Sequence, residues 1–165
     1  MEQLSNLVIS DKELLAISSM LAKLMQDTSA SYVMLLDKSG QVIATQSQGN
    51  MQRDSTALGA LLAGAFSSSR HVAELLGESD FKAIFQQGIH ESIYTSLIAD
   101  QWLLVTVFDK LTHIGLVKVL AKKASDELLR VLERVRTDSS RVREKVVNVQ
   151  FRSSVEDTID LLFRE

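Results

Sequence analysis

The sequence predicts an α+β fold in which a mostly antiparallel sheet of about five strands carries helices on its faces. Pairs of apolar runs joined by short polar turns alternate with single amphipathic segments of helical period. Two of the runs are apolar at almost every position, which indicates strands covered on both faces. Strand pairs that alternate with single helices are typical of an α-β sandwich. The expected order is α-β-β-α-β-β-β-α, followed by a C-terminal helix.

The composition is that of one globular domain. The chain has 165 residues, of which 45% are hydrophobic and 24% are charged, enough to bury one sizeable core. A formal net charge of −3 argues against general nucleic-acid binding, which usually requires a basic excess. The absence of Cys excludes disulfides and thiolate metal ligands. The first ten residues lack the long apolar core of a signal peptide, so we expect a cytoplasmic protein.

The chain opens with a helix and a β-hairpin. Ser10 and Glu13 form an S-x-x-E capping box, and apolar residues at helical spacing follow, which predicts a helix over residues 11–27. Residues 32–36 and 41–45 are apolar runs separated by the turn DKSG. A short turn ending in Gly between two such runs predicts a hairpin.

The segment from Asp54 to Leu76 has an unusual pattern for a surface helix. Asp54 is suited to be the N-cap and Gly77 the C′ residue. Helical spacing places these residues on one side: Leu58, Leu61, Leu62, Ala65, Phe66, Val72, Ala73 and Leu76. The other side carries Thr56, Ala60, Ala63, Gly64, Ser67 and His71. A side that merely faced water should be charged, yet residues 55–69 contain no charge.

This pattern predicts two layers of contact for the second helix. One side would pack on the domain's own core, and the small, uncharged side would meet another chain that approaches closely. A helix fully buried within one large core remains an alternative. A membrane span is not expected, because the uncharged run is shorter than the roughly 20 apolar residues that a bilayer requires and is rich in Ser and Gly.

Further strands follow the second helix. Residues 78–85 could form a short helical turn. Alternatively, residues 82–88 could form an additional strand. Residues 89–98 are rich in β-branched and aromatic residues, and residues 102–108 read WLLVTVF, so that the two runs predict a second hairpin.

The C-terminal third predicts a long helix and an appended segment. Apolar residues at helical spacing mark a helix from Leu116 to Val135. We expect residues 1–136 to form the domain and residues 137–165 to form a linker and an amphipathic C-terminal segment. The linker, residues 137–150, is polar, although its VVNV run could add a strand. In the tail, Ser153 and Glu156 repeat the capping-box pattern, and one apolar edge is formed by Val155, Ile159, Leu162 and Phe163.

No credible active site is found among the motifs. The three His residues match no metal-binding spacing, and neither G-x-S-x-G nor H-E-x-x-H occurs. Gly59 and Gly64 have the spacing of a phosphate-binding loop, but they lie inside a predicted helix and lack the following Lys and Ser/Thr. Asp37 and Asp109 each end a strand, where acidic residues are far more often turn formers than catalytic groups. We therefore expect no catalytic residue, cofactor or metal.

Four segments resemble the Roadblock/LC7 domain and, within it, the bacterial MglB-like proteins. They are the first hairpin with its DKSG turn, the AGA-containing second helix ending in LLGE, the run WLLVTVFD and the segment THIGLVKVLAKKASDEL. The resemblance extends from about Asp11 to Val135, and the terminal DTIDLLFRE is similar to the tail of that subgroup.

The resemblance implies a homodimer that pairs sheets edge to edge and brings its second helices together to engage a small Ras-like GTPase. MglB-like proteins activate an MglA-like GTPase in cell polarity or motility by remodelling it, without supplying a catalytic residue. The family's contact strip corresponds here to Ala60, Ala63, Gly64, Ser67 and His71, and the C-terminal contact to Ile159, Leu162 and Phe163. His71 stands where the family has a small residue.

Two functions are consistent with this resemblance. The first is a non-enzymatic homodimeric GTPase-activating protein. The alternative is a scaffold of the same fold that binds a GTPase or another roadblock protein without stimulating hydrolysis. The amphipathic end helix could also dock on its own domain. No nucleic-acid partner and no membrane insertion are expected.

Overall fold

The structure, a computed structural model, describes residues 8–50 and 53–163, and its elements follow the predicted order. The N-terminal MEQLSNL, predicted not to belong to a signal peptide, lies outside the described residues, as do two residues of the loop before the second helix and the last two residues of the tail. The helices and strands are α1 (Asp11–Thr28), β1 (Tyr32–Asp37), β2 (Val42–Ser47), α2 (Ser55–Leu76), β3 (Ala83–Gln87), β4 (Glu91–Ile98), β5 (Trp102–Asp109) and α3 (Ile114–Phe163).

The five strands form one antiparallel sheet in the order β2-β1-β5-β4-β3. Strand β5 lies at the centre, where it pairs with β1 on one side and β4 on the other. The additional strand near residues 82–88 is therefore confirmed as β3, and the helical alternative for that segment is wrong. β3 forms one edge of the sheet and β2 the other.

Both faces of the sheet are covered by helices. Leu104 and Phe108 of β5 pack with α1 and α3, whereas Leu103, Val105 and Val107 pack with α2. The alternation follows from the two-residue period of a strand. The first and third helices thus share one face of the sheet, and the second helix covers the other.

The C-terminal region differs from the prediction. Residues 137–150 form neither a linker nor a strand, because α3 continues through them to Phe163. Ser153 and Glu156 therefore lie inside a helix and do not begin one. The chain has no Pro, and no Gly follows Gly115, so nothing in the backbone obliges the helix to end. The polar composition of this stretch indicates solvent exposure, which an exposed helix satisfies as well as a loop does.

Polar caps at the helix ends agree with the sequence. Ser10 Oγ accepts from the Glu13 N–H (3.3 Å), and the Ser10 N–H donates to Glu13 Oε2 (2.9 Å), which completes the predicted capping box. Asp54 Oδ1 accepts from the Ala57 N–H (3.0 Å) at the start of α2. Gly77 ends that helix with φ of 73°, a left-handed conformation that favours Gly.

A contact between two glycines holds α2 against the β1–β2 turn. Gly40 ends this turn with φ of 94°. A Cβ on Gly40 would lie 2.9 Å from the Ala60 Cα, and a Cβ on Gly59 would lie 2.8 Å from the Gly40 carbonyl oxygen. Because backbone meets backbone, neither position has space for a side chain. Asp37 Oδ1 shapes the same turn by accepting from the N–H groups of Ser39 (2.9 Å) and Gln41 (3.0 Å).

An ion pair fixes the loop that leads into α2. Arg53 donates to both carboxylate oxygens of Glu91 (3.1 and 2.6 Å), and the Ser31 hydroxyl donates to Glu91 Oε1 (2.9 Å). The Arg53 guanidinium also lies 5.7 Å from the centre of the Tyr32 ring. The hydrogen bonds from Arg53 lower the pKa of Glu91 below its ordinary value, although partial burial opposes this effect. The start of α2 is thus connected to β1 and β4.

The glycine contact predicts opposite effects for two substitutions within α2. Gly59→Ala should destabilise the fold by about 1–3 kcal/mol, because its Cβ would meet a backbone oxygen and the side chains of Leu36 and Val42. The matched control is Gly64→Ala, where nothing lies within 4 Å of the new Cβ. It should be neutral or stabilise by up to about 1 kcal/mol through helix propensity. Urea denaturation measures both, and equal midpoints would contradict the close contact.

The ion pair predicts a pH dependence of stability. Since the pKa of Glu91 is lower in the folded than in the unfolded chain, its contribution is fully present above the unfolded pKa and is lost as pH falls through the folded pKa. The difference in unfolding free energy between the native chain and Glu91→Gln should be constant near neutral pH and shrink below about pH 4.3. The carboxylate is 37% exposed, so this difference should not exceed about 1 kcal/mol. A difference that grows on acidification would contradict the assignment.

Candidate partner-binding surface

The side of α2 that faces away from the sheet is exposed and largely apolar. Leu61 is 72% exposed and Leu75 is 88% exposed. We call this surface the outer face of α2. It consists of Ala60, Leu61, Gly64, Ala65, Ser67, Ser68, His71, Val72 and Leu75. The alternative of a fully buried second helix is therefore wrong for the single chain.

The structure corrects the predicted division of α2 into two sides. Ala63, predicted for the small contact strip, is only 5% exposed and packs on the sheet beside Leu62 and Phe66. Leu61, Ala65, Val72 and Leu76, predicted for the core side, are exposed. Residues 55–69 are apolar, small or uncharged, so this part of α2 contains no charged boundary that would show which part of its broad apolar surface packs inward.

Four of the predicted contact residues form a continuous exposed strip. Ala60, Gly64, Ser67 and His71 recur every three or four residues, so they follow one line along the helix. The His71 Nδ1 atom lies 3.2 Å from the Ser67 carbonyl oxygen, a contact within the helix. Ala60 and Gly64 have no side chain beyond Cβ, so another backbone can approach α2 closely over its first half.

A groove borders this strip at the end of the sheet where the β1–β2 and β4–β5 turns meet α2. Its volume is about 350 Å³. Its apolar residues include Ala63, Phe66 and Leu103, and its charged residues are Lys38, Arg70 and Asp100. Arg70 also forms an ion pair with Asp80 (3.3 Å). The groove can therefore receive an apolar side chain of a partner that packs on the outer face of α2.

The edge strand β3 is a second exposed surface. Among the described strands β3 pairs with β4 alone, so the other side of its backbone is available for pairing. Phe85 of this strand is partly exposed and stacks on Phe108 with ring centres 6.2 Å apart. Ile89, which follows the strand, is largely exposed.

Two of the predicted C-terminal contact residues, Ile159 and Leu162, belong to a separate surface. Ile159 and Leu162 are exposed on α3, which packs on the opposite face of the sheet from α2. Phe163 is the last residue of α3. The structure therefore does not combine these residues with the strip on α2 into one site.

The candidate catalytic carboxylates are turn formers, as the sequence indicates. Asp37 accepts hydrogen bonds within the β1–β2 turn, and Asp109 Oδ1 accepts from the Leu111 N–H (2.8 Å). Across residues 8–50 and 53–163, no three His, Asp or Glu side chains are grouped so that they could hold a metal ion. No helix in this described part of the chain is both long enough and apolar enough to cross a membrane.

Known proteins are similar to this chain in sequence, and two of them have solved structures that share its fold. MglB of Myxococcus xanthus is 36% identical, with a TM-score of 0.72, and the match covers 78% of this chain and 96% of that structure. The gliding protein MglB of Thermus thermophilus is 30% identical, with a TM-score of 0.73, and the match covers 78% and 97% of the two chains. An uncharacterized protein of Methanocaldococcus jannaschii is 29% identical over 96 residues, which are 58% of this chain and 78% of that protein.

The family model of the Roadblock/LC7 domain matches residues 17–108, which is more than half of the chain. This range runs from the first buried residue of α1 to the end of the central strand β5 and includes all of α2. The chain belongs to the Roadblock/LC7 domain family.

Proposed function

We propose that the protein is a non-enzymatic, homodimeric regulator of a small Ras-like GTPase of the MglA type. It would accelerate GTP hydrolysis by remodelling the GTPase, without supplying a catalytic residue, in cell polarity or motility. The similarity to MglB proteins supports this proposal. A cytoplasmic location follows from the same proposal, since that is where such a GTPase would act.

The observation that carries the proposal is the outer face of α2. Leu61, Val72 and Leu75 are exposed along one side of the same helix. A contiguous exposed apolar patch of this kind marks a surface that a partner covers. Burial of each such side chain contributes about 1.5–3 kcal/mol, so that covering all three would yield several kcal/mol of binding free energy. The adjacent small residues would permit the close approach that this burial requires.

Self-association through β3 would extend this surface. Two copies that pair their β3 edges would form one continuous sheet with both α2 helices on the same face. The two outer faces would then lie side by side and could engage one GTPase together. The exposed Phe85 and Ile89 would be covered at or near that junction.

The side chains of α2 support regulation without direct catalysis. An arginine supplied to a GTPase stabilises the charge of the transition state, but residues 55–69 have no charge, and Arg70 is paired with Asp80. A surface of this kind could act by ordering the GTPase's own residues around the attacking water. The same observation favours, as a second candidate, a scaffold that binds without changing the rate.

We also propose that the domain ends near residue 136. Val135 is the last buried residue of α3, and the residues beyond it contribute little to either core. Residues 137–165 would then be an appended segment, helical at least as far as Phe163, and not a linker.

A charged substitution on the outer face of α2 tests GTPase docking. Gly64→Arg should reduce binding of the MglA-like GTPase from the same organism by about a hundredfold or more, because a long charged side chain would prevent close approach and be desolvated without a partner. Nothing lies within 4 Å of a Cβ at Gly64, so the fold should remain intact. Calorimetry or surface plasmon resonance measures the dissociation constant.

The matched pair for this experiment is Ser67→Arg and Ser19→Arg. Ser67 lies on the outer face of α2, whereas Ser19 is exposed on α1, on the opposite side of the sheet. Ser67→Arg should weaken binding and Ser19→Arg should not. Normal binding by both Gly64→Arg and Ser67→Arg would show that the GTPase docks elsewhere.

A further inference from the structure

The last part of α3 projects beyond the domain as an exposed helix. From Arg136 to Leu162 every side chain is exposed except that of Ser139, which is half-buried. At 1.5 Å per residue this projection is about 40 Å long. We call residues 136–163 the α3 extension. Large apolar side chains on it face solvent, and Phe151, for example, is 69% exposed.

Two apolar stripes follow opposite sides of the extension. Val142, Val146 and Val149 continue the heptad spacing of Leu128, Leu132 and Val135, so they lie on the side of α3 that packs on its own sheet. Phe151 is nine residues, or two and a half turns, beyond Val142 and lies on the opposite side. The second stripe, which we call the distal stripe, consists of Val147, Phe151, Val155, Ile159 and Leu162.

The position of the distal stripe argues against docking on the chain's own domain. In a straight α3 the stripe faces away from the side that meets the sheet. A return to the domain would need a bend, and no Gly or Pro between Gly115 and Phe163 provides one. The stripe therefore requires a cover from another molecule.

The charges along the extension indicate which partner would complement it. Its first part, residues 136–152, contains five basic and two acidic residues, and residues 153–163 contain three acidic and no basic residues. The basic residues are Arg136, Arg141, Arg143, Lys145 and Arg152, and the acidic residues of the end are Glu156, Asp157 and Asp160. The helix thus has a basic half and an acidic half.

We propose that the α3 extension pairs antiparallel with the α3 extension of a second copy, through the distal stripe and with its centre near Phe151. The antiparallel arrangement places each basic half beside the acidic half of the other copy, whereas a parallel arrangement places like charges together. With Phe151 beside its counterpart, Val147 lies level with Val155 and Lys145 level with Asp157. This contact does not depend on the proposed GTPase or on pairing through β3, and together with β3 pairing it links copies into assemblies larger than a dimer.

Disulfide trapping tests the direction of pairing in the full-length chain. The protein has no Cys, so that introduced thiols are the only ones present. Disulfides form when Cβ atoms are about 3.5–4.5 Å apart. An equimolar mixture of Val147→Cys and Val155→Cys chains under mild oxidation should yield mainly the mixed 147–155 linkage, measured by mass spectrometry of the linked peptides. Dominant 147–147 and 155–155 linkages would indicate parallel pairing and overturn the proposal, as would the absence of linkage.

A charge introduced by substitution on each stripe tests which side of the extension contacts the second copy. Phe151 and Val149 are similarly exposed, at 69% and 67%, but lie on opposite sides of the extension. In sedimentation equilibrium of the full chain, Phe151→Glu should weaken self-association by about tenfold or more, and Val149→Glu should leave it unchanged. Circular dichroism checks that both variants keep their helix content. Equal effects, or none, would overturn the proposal.

A final experiment tests whether a GTPase, and not a second copy, covers the distal stripe. The Val147→Cys and Val155→Cys mixture is oxidised in the presence and absence of excess MglA-like GTPase. The proposal expects the 147–155 linkage in both samples. If neither sample contains the linkage and the GTPase protects the distal stripe, the proposal is overturned. GTPase docking on α2 would not be affected by that result.

Discussion

The requirement to cover both faces of the two central strands determines the rest of the structure. Every residue of β1 is buried, as is every residue of β5 before Asp109. A sheet with such strands at its centre needs a helical layer on each side. Two helices, α1 and α3, supply one layer, and α2 alone supplies the other. Because a single helix must lie close to the sheet to cover it, Gly59 of α2 meets Gly40 of the β1–β2 turn with no space for a side chain.

This arrangement explains how a structural helix could also provide the proposed binding surface. Only a narrow stripe of α2, including Leu62, Ala63 and Phe66, is used by the domain's own core. The remainder of its surface is exposed, yet it has the apolar and small residues of an interior. The Arg53–Glu91 pair and the Asp54 cap fix where the helix begins. A partner would therefore meet a preformed surface, which lowers the conformational entropy lost on binding.

Sequence patterns predicted the layers of the fold better than the details of its surfaces. Hairpin turns, the Ser10–Glu13 capping box and the run WLLVTVF predicted the elements correctly, because each depends on local chemistry or a clear period. The inward side of α2 was not predictable in the same way: Leu61 and Leu62 are chemically identical, and only packing decides that Leu62 is buried. The helical continuation through residues 137–150 was missed because exposed helices and loops share a polar composition. The exposed strip Ala60, Gly64 and Ser67 was identified, although Ala63 was wrongly added to it.

The central claim, that the outer face of α2 regulates a GTPase without a catalytic residue, is tested most directly by single-turnover GTP hydrolysis. The MglA-like GTPase of the same organism would be loaded with GTP and its rate measured with increasing amounts of this protein. Each 1.36 kcal/mol removed from the barrier raises the rate tenfold, so that even modest ordering of the attacking water is measurable. We expect an increase of about tenfold or more that saturates with binding. An unchanged rate at saturating complex formation would contradict activation and leave the scaffold function.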